Sequence, residues 1–108
     1  LALSLSACAV LGKPSDTPHM AAGKALTDVA HVLKGAADVA DTATKEGLIH
    51  GQTAATISQD FKWAQQLMND AASAYKLSQD NTVQADVAAV TTLAAQIVVL
   101  VSQAKGAN

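Results

Sequence analysis

From about residue 17 onward, apolar side chains recur at spacings of three and four, and this one pattern constrains the fold more than any other feature. Leu26, Val29, Leu33, Ala36, Ala40 and Ala43 form a first stripe, with Lys24, Asp28, His31, Lys34, Asp38, Asp41 and Lys45 on the opposite face. Ile57, Phe61, Ala64, Met68, Ala71 and Tyr75 form a second, with Gln59, Lys62, Gln66, Asn69 and Ser73 outward. Val83, Val87, Val90, Ala94, Ile97 and Val101 form a third. A period near 3.6 cannot keep one face buried in a strand, so the chain is predicted to be all-α. The run "IVVLV" at 97–101 is β-branched and favours a strand by propensity alone. The helical spacing persists on both sides of it, so helix is the reading adopted.

Three helices are expected, over about 17–46, 53–78 and 82–104. Gly47 stands where a glycine closes a helix, and "GLIHGQ" at 47–52 makes a short connection. Thr53 or a neighbour is expected to cap the second helix. Asn81 and Gln84 have the spacing of a capping box for the third, with Asp86 near its positive end. Short connections make successive helices antiparallel. The expected architecture is an antiparallel hairpin with a third helix packed on it, a three-helix bundle.

Composition qualifies this core. Hydrophobic residues reach 50% of the 108-residue chain, yet the aromatics are only Phe61, Trp63 and Tyr75. Much of the apolar content is alanine, which buries one methyl and contributes little transfer energy. Such a core depends on close helix approach, and a domain this small is stabilised only modestly. Self-association into a homo-oligomer is one expected source of support.

Charge excludes some functions. The net charge is −2, from nine acidic residues against seven lysines and no arginine, and the lysines fall singly along the chain. Without arginine forks or a basic cluster, nucleic-acid binding is not expected. His19, His31 and His50 have no acidic or histidine partner at the spacing of a zinc-binding helix face. Asp38 and Asp41 read as charges on a solvated face, and Glu46 is the sole glutamate, so a bundle carboxylate centre is not expected. No nucleophile and base fall into a recognisable arrangement. The chain is read as a non-enzyme, without a metal or cofactor.

Leu1–Leu11 is apolar apart from Ser4 and Ser6, and ends near the only cysteine, Cys8. It is too short to span a bilayer, which takes about 20 helical residues. Its length suits the hydrophobic region of a secretory signal, here read as the remainder of a truncated precursor. A lone cysteine forms no intramolecular disulfide and no thiolate-rich zinc site. Leu5-Ser6-Ala7-Cys8 resembles a bacterial lipobox, in which small residues fit the peptidase groove and the thiol takes the lipid. The resemblance implies cleavage before Cys8, lipid on its sulfur, and, with neutral Ala9 next, sorting to the outer membrane. The plainer alternative is a small buried cysteine in an apolar helix. Residues 1–7 are thus read as signal, 8–18 as lipidated cysteine and tether, and 19–108 as the helical domain.

The polar tether "GKPSDTP" and an alanine-rich first helix ending in "KEGLI" extend the likeness, together with an amphipathic second helix. In organisation the chain resembles the short alanine-rich helical lipoproteins of bacteriophages and prophages. The resemblance implies envelope-associated roles: altering the host surface, assisting late lysis or blocking a receptor. Membrane lipid through Cys8 and an envelope protein are the partners it implies. The alternative is a non-lipidated helical subunit that self-associates or packs in a larger assembly. Trp63 and Leu67 lie to one side of the second helix's stripe. They are either the seat of the third helix or a contact for a partner.

Overall fold

The computed structural model describes residues 17–106, which form three helices: α1 (Pro18–Lys45), α2 (Gly51–Lys76) and α3 (Asp80–Gly106). The all-α three-helix bundle expected from the periodicity is the fold observed. No strand occurs among the described residues, and 97–101 is helical.

The helix ends follow from local chemistry. The Thr17 hydroxyl accepts from the Met20 amide at 3.1 Å, and Pro18 takes the first helical position, where its missing N–H costs nothing. Pro18 therefore belongs to α1 and not to a tether. At the far end Gly47 adopts φ +76°, its amide bonds Thr44 O, and the Leu48 amide reaches Ala43 O, both at 3.0 Å. Glycine enters this left-handed conformation without the Cβ clash that other residues meet.

α2 and α3 start two residues earlier than expected, and their caps differ. α2 begins at Gly51 after an extended His50 that supplies no side-chain cap, so Thr53 lies inside the helix. α3 begins at Asp80, and the Val83 amide bonds Gln79 O at 3.1 Å. Asn81 is a first-turn residue here, which displaces the expected capping box. Asp80 instead supplies the negative charge at the helix's positive end.

α2 closes with the same hydrogen-bond pair as α1: Ser78 N–H to Tyr75 O at 3.0 Å and Gln79 N–H to Ala74 O at 2.9 Å. The left-handed residue is now Ser78, at φ +58°. A Cβ there is strained by about 1 kcal/mol or more. Ser78→Gly relieves that strain but adds unfolded-state entropy, for an expected net gain of a few tenths to about 1 kcal/mol. Urea denaturation of the two proteins measures it.

Two hydrophobic clusters show how the helices run. One joins Ala22, Ala25 and Val29 of early α1 to Ala64 and Ala74 of α2 and to Val83, Val87 and Val90 of early α3. The other joins Ala36, Ala40 and Ala43 of late α1 to Ile49 and Ile57, and to Ala94, Ile97 and Val101 of late α3. α1 and α3 are thus parallel, and α2 runs against both. α3 packs extensively on both partners, whereas α1 and α2 touch each other little. The third helix, packed on both members of the hairpin, is the centre of the bundle.

All six expected α3 stripe residues are buried, and the four largest fully buried side chains, Val83, Val90, Ile97 and Val101, belong to it. On α1 and α2 the buried positions are mostly alanines, with Leu26, Leu33, Phe61, Met68 and Tyr75 half-buried around them. Gly23 also serves close approach: a Cβ on it would stand 2.8 Å from Tyr75 Oη. On α1, Lys45 Nζ lies 3.1 Å from Asp41 Oδ2 one turn earlier, on exposed surface where such a pair contributes little.

Candidate interaction surface

The lipobox residues Leu5, Ser6, Ala7 and Cys8 lie outside the described residues. Trp63 and Leu67 lie within them, on α2. Trp63 is 52% exposed, so the large ring is not the seat of α3. It borders a hollow of about 290 Å³ with Gln66, Leu67, Asp70 and Leu93. Leu67 and Leu93 are half-buried against the core and form the apolar floor beside the ring.

The same seam continues toward the other end of the bundle as a groove of about 650 Å³ between α2 and α3. Its apolar wall includes Ala95, Val99 and Leu100, and Val99 is 53% exposed. Asp60 lines it from α2. This carboxylate-bearing residue is only 7% exposed, and no hydrogen bond or ion pair joins its side chain to another described residue. Sequence reading missed Asp60, although a signal was there. It stands three residues after Ile57 and four before Ala64, within the buried stripe.

A second acid lies at the opposite end of the seam. Asp86 Oδ2 is buried and has no hydrogen-bond partner. Burial, and then the nearby charge of Asp70, pushes its carboxyl above the ordinary carboxylate value. A raised folded-state value makes the ionised group a cost, present above that value and absent below the unfolded one. Stability contributed at this position therefore rises as pH falls through the raised value. Asp86→Asn is expected to raise the melting temperature near neutral pH, with a gain that shrinks toward about pH 4. Paired thermal melts at the two pH values test the sign.

The histidines divide. His31 and His50 are exposed. His19 is in the first turn of α1 and ties three elements together. Its ring stacks on Tyr75 of α2 with centroids 4.1 Å apart, 8° from parallel. Its Nδ1 donates to Asp80 Oδ1 of α3 at 2.8 Å. This arrangement clamps one end of the bundle. Among the described residues, no three histidine, cysteine or acidic side chains are grouped to hold a metal ion.

α3 is long and apolar enough to cross a membrane by length and composition, with a mean hydropathy of 1.8 over its most apolar window. Only 28% of that window is buried, and its outward residues Val98 and Val99 are apolar and exposed. No family model, curated protein or solved structure matches the chain.

Proposed function

We propose that this chain is a small helical interaction protein, held at a bacterial envelope membrane by lipid on Cys8 and engaging a partner through Trp63 and Leu67. The half-exposed Trp63 carries the interaction half of this reading. A core of alanine and valine buries its large residues on α3, yet leaves its one tryptophan in water. Tryptophan is enriched among the residues that dominate binding at interfaces. The lipobox-like Leu5-Ser6-Ala7-Cys8 carries the anchoring half. The segment from Ala9 to Asp16 separates Cys8 from the Thr17 cap and contains Gly12, Pro14 and Ser15, a composition suited to a tether. Outer-membrane sorting and a phage or prophage origin belong to the same proposal.

Two acyl chains on one cysteine suffice for stable anchoring, at about 0.8 kcal/mol per buried CH₂. Cys8→Ser is therefore expected to move the protein from the membrane to the soluble fraction and to stop maturation. Fractionation with mass spectrometry of the N-terminus checks it. A serine variant that still sediments with membranes at an unchanged mass defeats the anchor.

The apolar outer face of α3 favours a second reading, a non-lipidated subunit of a larger helical assembly. An uncleaved Leu1 in the mature protein supports that reading, and an acylated Cys8 supports the first.

A further inference from the structure

Two heptad-spaced stripes border the seam just described. On α2, Thr56, Asp60, Trp63, Leu67 and Asp70 follow one another at alternating spacings of four and three. On α3, Asp86, Ala89, Leu93, Gln96 and Leu100 do the same, and α3 runs antiparallel to α2. Asp60 and Leu100 therefore share one end, Trp63 and Leu93 the middle, and Asp70 and Asp86 the other end. Spacing that averages 3.5 residues is the spacing at which one helix packs along another. Two such rows make the trough into which a further helix fits.

Charge selects which helix. The two hollows along this seam have Asp60 and Asp70 among their lining residues and no lysine. The grooves that α1 borders carry Lys24 and Lys34. Among the described residues, Asp60 is more than nine-tenths buried without a side-chain partner, and Asp86 keeps a buried oxygen with none. Buried carboxylate oxygens are normally paired, so the Asp86 oxygen is placed for a donor that the described residues do not supply, and the Asp60 carboxylate adds an unpaired negative group on the groove wall.

We infer that the α2–α3 seam docks a basic amphipathic helix of a partner protein. The partner's apolar face would rest on Trp63, Leu93 and Val99, and its lysines or arginines would meet Asp60 at one end and Asp70 with Asp86 at the other. This inference deepens the proposed function. It rests on Trp63 as a contact and is independent of lipid on Cys8.

The test uses the full 108-residue chain carrying Cys8→Ser, which removes anchoring from the measurement. The probe is a designed tryptophan-free helix of about three heptads, with leucine at the core positions and lysine beside them. Trp63, the only tryptophan in the chain, reports binding by its emission. Saturable one-to-one binding with a blue shift is expected, weakened about tenfold or more by Asp60→Asn, because a buried charge pair loses one partner. Val99→Lys, at an exposed wall position, is expected to abolish binding while leaving the circular dichroism unchanged. Asp38→Asn, on the exposed face of α1, is expected to leave binding as it was.

Equal affinity for the same helix with glutamate in place of lysine overturns the proposal. So does an equal loss in Asp38→Asn and Asp60→Asn, which would mean diffuse attraction to an acidic protein. Self-association that Val99→Lys dissolves would overturn it in favour of a second copy of this chain. Binding of octylammonium with none of the lysine helix would overturn it in favour of a small cationic amphiphile.

Discussion

Replacing Ile97 by alanine is expected to remove about 2–5 kcal/mol of stability, a large share of what a domain of this size possesses. Ile97 is fully buried on the helix that contacts both others. It lies in a cluster with Ala36, Ala40 and Ala43 of α1 and Ile57 of α2. Alanine side chains have no rotamers with which to refill a cavity, so closing it would require whole helices to shift. The cost should therefore fall in the upper part of that range. For a domain this small the melting temperature should drop by about 10 °C or more. Val99→Ala, two residues on and 53% exposed, is the matched control. It removes a β-branched side chain from a helix surface and should cost nothing, or gain a few tenths of a kcal/mol. A similar loss at both positions would mean that α3 does not face its partners as described.

The contrast between Ile97 and Val99 also shows what the sequence made legible. The α3 stripe could be read residue by residue, because a helix buried on one face shows its period directly in the positions of its valines and isoleucines. Which helix sits at the centre could not be read that way. Centrality depends on how wide the buried arc is, and α3's outward residues are also apolar. Starts of α2 and α3 were misplaced because His50 and Gln79 act through backbone carbonyls, which leave no compositional trace. The contact of His19 with Asp80 joins residues 61 apart in the chain, beyond the reach of any local pattern. Asp60 was legible by spacing and overlooked by chemistry, since an acid at a stripe position is ordinarily read as a break in the stripe. That break is the feature on which the candidate surface turns. Consistent local and global preferences mark the bundle, and the departures at Asp60, Trp63 and Asp86 lie along one seam.

Adjacent residues on α2 should respond to mutation in opposite ways, and against the usual ranking of side chains. Ala64 is fully buried and packs in the cluster formed with Val83, Val87 and Val90 of α3. Ala64→Leu keeps helix propensity nearly constant, so any loss is steric. Three added carbons must either push α2 from α3 or force unfavourable rotamers, at a cost of about 1–3 kcal/mol or more. Trp63→Ala removes the largest side chain in the protein from a position 52% exposed. Its hollow is lined chiefly by residues of its own helix, Gln66, Leu67 and Asp70, with Leu93 from across the seam. Contacts within one helix are partly retained in a compact unfolded chain, so area lost there overstates the effect on stability. A loss of about 1 kcal/mol or less is expected, offset in part by alanine's higher helix propensity. Urea denaturation followed by far-UV circular dichroism measures both variants without relying on Trp63 as a probe. A loss of about 3–5 kcal/mol for Trp63→Ala, with Ala64→Leu tolerated, would make the tryptophan a core residue and close the seam as a docking surface. The expected order leaves α2 with an alanine that the fold cannot exchange beside a tryptophan that it can, and a large residue that the fold does not need remains available for binding.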